Sequence, residues 1–97
     1  MPTAPVIVGM VWYHPEDWDK LGRLFDDPFF KKPFDDWLKN AEYGFKDQGR
    51  RDRVVEKVYL DPEQFPLWCA ECGLHVDAKA RIRFANEAVA RKYLKQG

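Results

Sequence analysis

The chain has 97 residues, 45% hydrophobic and 33% charged, which bounds it to one domain, residues 1–97, and excludes a disordered composition. Sixteen basic and sixteen acidic side chains cancel, which argues against a protein that coats nucleic acid by bulk charge. No apolar run approaches the roughly 20 residues that a bilayer crossing needs, and Met1-Pro2-Thr3-Ala4-Pro5 lacks the basic and apolar regions of a signal peptide, so a cytoplasmic location is expected.

The first element is Val6-Ile7-Val8-Gly9-Met10-Val11-Trp12-Tyr13, apolar on both faces and rich in β-branched and aromatic residues, which reads as a buried strand. His14-Pro15-Glu16-Asp17 opens a helix, with proline near its first position and acids against the positive end of the dipole. Trp18, Leu21, Leu24 and Phe25 share one face of it, and Asp26-Asp27-Pro28 ends it. A second helix begins near Pro33, carries an apolar stripe of Phe34, Trp37, Leu38, Ala41 and Phe45, and stops near Gly49. Arg50-Arg51-Asp52-Arg53 leads into a second strand, Val54 to Leu60, less apolar than the first. Asp61-Pro62-Glu63-Gln64 starts a third helix, with Asp61 placed to cap it, and Gly73 ends it. Asp77 caps the last helix, from Ala78 to about Lys95.

The order βααβαα implies a small two-layer α+β domain. Its halves resemble each other: Val8 to Trp18 aligns with Val55 to Phe65, with Val, Val, Pro and Glu identical at four positions. An internal duplication, about 1–49 and 50–97, explains this; so does the local likeness of two strand–proline–helix starts. A duplication would set the strands about a pseudo-twofold, with helices over one face.

The stretch Asp61-Pro62-Glu63-Gln64-Phe65-Pro66-Leu67-Trp68-Cys69, then Gly73, then Asp77 to Glu87, resembles a group of short uncharacterised bacterial proteins, as does Trp37 to Glu42. The likeness implies a bacterial cytosolic protein and brings no activity or catalytic residue with it.

Chemistry-bearing constellations are few. Trp68-Cys69-Ala70-Glu71-Cys72 has the W-C-x-x-C form of thiol redox sites, but Cys69 falls about two turns inside its helix, beyond the reach of the dipole that lowers such thiol pKa values. The same pair, with His75 and His14, is the candidate ligand set for zinc, the one cofactor to weigh against none. Serine is absent and the single threonine is Thr3, so hydroxyl-nucleophile triads are excluded and an enzyme is not indicated.

Charge is uneven although it sums to zero: residues 77–97 carry six basic and two acidic side chains. Arg81, Arg83, Arg91, Lys92 and Lys95 on the last helix are the candidate phosphate-binding residues, and a solvated face partly neutralised by Glu87, four residues from Arg83 and Arg91, is the favoured reading. Phe29-Phe30-Lys31-Lys32-Pro33-Phe34 is an aromatic connection too short to bury every ring, so Phe29, Phe30 and Phe34, with Trp12, are the candidate partner-binding residues. The leading expectation is a non-catalytic protein–protein interaction module, a homodimer or a small subunit or regulator of a larger protein. A nucleic-acid-associated protein and a zinc- or thiol-dependent protein are the alternatives.

Overall fold

The computed structural model describes residues 6–94. Strand β1 (Val6–Trp12) runs into a 3-10 turn (Pro15–Asp17) and helix α1 (Trp18–Leu24). A second 3-10 turn (Pro28–Lys31) precedes helix α2 (Phe34–Gly49), then follow strand β2 (Arg53–Tyr59), helix α3 (Gln64–Cys72) and helix α4 (Ala78–Leu94). The α+β class and the order βααβαα are those read from the sequence.

The local reasons are visible at each start and stop. The Asp61 carboxylate accepts from the backbone N–H groups of Glu63 (2.8 Å) and Gln64 (3.3 Å), and that of Asp77 accepts from the N–H of Ala80 (2.9 Å). Both acids thereby satisfy donors that a helix start leaves without partners. Gly73 closes α3 at φ 69°, a left-handed conformation that costs glycine little.

The two strands are parallel, with Val6 opposite Arg53 and Trp12 opposite Tyr59, the same 47-residue offset at which the two halves of the sequence align. Side chains alternate between faces of a strand, so Val8, Met10 and Trp12 point one way and Ile7, Gly9 and Val11 the other. Trp12 packs edge-on against Trp37 and Phe45 of α2 (centroids 5.2 and 6.0 Å apart). Gly9 lies under α4, where a β-carbon would fall inside the contact distance of the Ala85 carbonyl and the Val89 side chain. The two long helices therefore cover opposite faces, where an internal duplication was expected to set helices over one face. A parallel pair needs cover on both faces, and the missing side chain at Gly9 lets α4 approach the backbone.

Beyond the C-terminal ends of the strands lies the main core. Tyr13, Trp18, Leu21, Phe25, Phe30, Leu60, Phe65, Cys69 and Ala80 are all buried there. Its aromatic rings meet mostly in tilted or edge-to-face pairs, as ring quadrupoles favour. The Trp18 indole N–H donates to the Lys32 carbonyl at 2.8 Å, which ties α1 to the end of the aromatic connection.

Candidate functional site

The aromatic connection divides its rings between core and surface. Phe30 sits in the 3-10 turn with only 5% of its surface exposed, and it packs on Tyr13, Trp18 and Phe25. Trp12 is 4% exposed beneath α2. Neither ring is offered to a partner, which corrects their selection as contact residues. Trp12 fills the space between the sheet and α2, and Phe30 the space between Tyr13, Trp18 and Phe25. Phe34 is half-buried at the start of α2, against Trp18 and Trp37. Phe29 is half-buried as well, and one side of it stays open.

That open side lines a cleft of about 470 Å³ between the 3-10 turn and α2. Phe29 and Trp37 supply its aromatic part, and Lys32, Asp36, Lys39 and Asn40 its polar part. Its size is within the range of ligand-binding cavities. Lys32, Asp36 and Lys39 make no ion pair among the described residues. The cleft thus holds two ammonium groups and one carboxylate beside exposed aromatic surface. Of these residues only Phe29 stood out in the sequence. The placing of Lys39 and Asn40 three and four residues after Asp36 was the available sign of a common side, since helical neighbours recur every three or four residues.

Behind the cleft stands a buried ion pair that gave no sequence signal, because its partners are 54 residues apart. The Arg81 guanidinium donates to both carboxylate oxygens of Asp27, at 3.0 and 2.8 Å. Arg81 is 6% exposed and lies over the ring of Phe25 at 4.3 Å, with Phe30 at 5.6 Å and Phe29 at 5.9 Å. A two-pronged bond of this kind fixes direction as well as distance, so it anchors the 3-10 turn, and Phe29 with it, to α4. The guanidinium holds the Asp27 carboxyl below its ordinary pKa, chiefly through these hydrogen bonds. Burial pushes the neighbouring Tyr13 phenol up to about 12.

The basic residues of α4 do not form one phosphate-binding face. Arg81 is buried in its pair with Asp27, Arg83 pairs with Glu87 at 3.5 Å, and Lys92 pairs with Glu56 at 2.7 Å. Arg91 is exposed, and Lys95 lies outside the described residues. The correction follows from chain folding: Asp27 and Glu56 are brought to α4 from other elements and neutralise cations that look free along the helix.

The candidate zinc ligands are likewise dispersed. Cys69 is buried in the core and Cys72 exposed, both as free thiols. His14 stacks face to face on Tyr59 at 4.1 Å, and His75 lines a separate depression of about 250 Å³ near the start of α4. Among the described residues no three His, Cys, Asp or Glu side chains are grouped to hold a metal ion, so Cys69, Cys72, His75 and His14 do not make a ligand set. Burial raises the Cys69 thiol pKa, with Asp77 and Cys72 adding to it, which is the wrong direction for a reactive thiolate.

Among the described residues no helix is long and apolar enough to cross a membrane. No family model, curated protein or solved structure matches the chain.

Proposed function

We propose that this protein is a non-catalytic interaction module that captures a segment of a protein partner in the cleft between α2 and the 3-10 turn Pro28–Lys31. The observation that carries the reading is the pairing of half-exposed Phe29 and Trp37 with Lys32 and Lys39, two cations that make no ion pair among the described residues. Aromatic anchors beside a polar rim are the common anatomy of binding hot spots. The charge balance of the cleft favours an acidic partner, specifically an apolar side chain followed or preceded by Asp, Glu or a terminal carboxylate. Asp36 and Asn40 would accept or donate bonds to the backbone of such a segment. In the cytosol the two free thiols would stay reduced and take no part in it.

Selection of short random peptides on the purified protein tests this. Enriched sequences should combine an aromatic or aliphatic residue with an adjacent acid, and their binding should fall in Phe29→Ser and Lys39→Glu. Enrichment of basic sequences, or binding that ignores both substitutions, would overturn the proposal.

A further inference from the structure

Among the described residues one strand edge of the small sheet is open, and we infer that it pairs with the same edge of a second copy of this chain to give a continuous four-stranded sheet. The inference names a partner at a surface separate from the cleft and deepens the interaction reading.

Hydrogen-bond direction identifies the edge. The Leu60 N–H donates to the Trp12 carbonyl (3.1 Å), so the backbone groups of Trp12, and by alternation those of Met10 and Val8, face β2. On β2, the same alternation turns Val54, Glu56 and Val58 inward and Arg53, Val55, Lys57 and Tyr59 outward. The two outer edges are not equivalent. On β1 the outward N–H of Gly9 donates to the Asn86 side chain of α4 at 3.4 Å, and α4 crosses close over that residue. On β2 no backbone or side-chain group among the described residues bonds the outward N–H and C=O groups. Val54 and Tyr59 on the same strand remain 39% and 48% exposed. An edge strand whose outward backbone groups lack partners is a template for strand addition.

The identity of the partner follows from the layers. Strands lie about 4.8 Å apart and a helix is about 10 Å wide, so one helix covers two strands. Here α2 covers one face of the pair and α4 the other, with nothing left over for a third strand. A single added peptide strand would therefore expose both its faces. A second copy brings its own α2 and α4, and the resulting sheet has two helices on each face.

An antiparallel two-fold through Glu56 engages all seven residues of β2. It sets Val54 against Val58 of the second copy, Val55 against Lys57, and Arg53 against the Tyr59 ring. The two Glu56 side chains then face each other, each already bonded to Lys92 (2.7 Å) and Tyr93 (2.7 Å) of its own α4, so each carboxylate arrives with its countercharge.

Sedimentation velocity from low micromolar to sub-millimolar concentration should show a monomer–dimer equilibrium. Val55→Pro removes an outward N–H that β1 does not use and should weaken the dimer more than about tenfold, because the two-fold counts each lost bond twice. Phe29→Ser, in the cleft, should leave the dimer unchanged. Hydrogen exchange on the unsubstituted protein reads the same contact without any variant. The amides of Val55, Lys57 and Tyr59 should gain protection with concentration, while those of Glu56 and Val58 are protected throughout. A monomer at all concentrations, or odd-numbered amides that exchange freely in the dimer, overturns the edge pairing. A dimer lost in Phe29→Ser but kept in Val55→Pro would also overturn it while leaving the cleft reading intact.

Discussion

Removing the carboxylate of Asp27 should be among the most damaging single changes outside the aromatic core, although a quarter of that side chain is open to solvent. The side-chain exposures of the pair are 7% for Arg81 and 25% for Asp27, and both guanidinium–carboxylate bonds are short. In Asp27→Ala the guanidinium stays among Phe25, Phe29 and Phe30 with its countercharge gone. Breaking a buried pair from one side costs roughly 3–5 kcal/mol, and the partial exposure of Asp27 places this case at the low end, about 3 kcal/mol. For a chain of this length that corresponds to a fall in Tm of roughly 12–24 °C. Urea unfolding followed by tryptophan fluorescence measures it. Asp27→Leu combined with Arg81→Met removes both charges and should recover most of the loss, because a matched apolar pair needs no countercharge. A loss below about 1 kcal/mol in Asp27→Ala would mean instead that Arg81 reaches water once its partner is gone.

Alkali should act through Tyr13. Its folded pKa is raised to about 12 by burial, so its share of stability is whole below the unfolded value near 10 and is lost as pH rises through about 12, roughly 2–3 kcal/mol in all; Tyr13→Phe should remove that loss from a pH series of urea melts. Gly9→Ala should destabilise by about 1–3 kcal/mol, because the new methyl meets the Ala85 backbone and one of the two must move; near-neutral behaviour in the same melts would show that α4 does not press on β1. Timed alkylation followed by mass spectrometry should modify exposed Cys72 quickly and buried Cys69 only under unfolding conditions; equal rates would contradict the burial of Cys69.

What could be read in advance was local. Strand β1 announced itself by an unbroken apolar run, and helices α3 and α4 by Asp61 and Asp77, whose capping depends only on residues two or three positions away. Gly73 as a stop is equally local. The errors came from partners distant in sequence. The partners of Arg81 and Lys92 could not be read along the helix because Asp27 and Glu56 reach them only through the fold. Trp12 and Phe30 looked available because nothing in their own segments shows that α2 and α1 close over them. The cleft lay halfway between these cases: Phe29 was legible as a ring in excess, whereas Lys32 and Lys39 became informative only once the fold had set them beside Phe29 and Trp37.

The proposed capture of an acidic, apolar partner segment in the cleft beside Phe29 and Trp37 can be read residue by residue. A two-dimensional NMR titration of the isotope-labelled protein with a short synthetic peptide carrying adjacent Phe and Asp residues addresses it most directly. Saturable shifts should concentrate on the Trp37 indole N–H and on the amides of Phe29, Lys32, Lys39 and Asn40, and should be lost in Lys32→Glu combined with Lys39→Glu. Shifts centred instead on the exposed parts of α4, or no shifts at millimolar peptide, would contradict it.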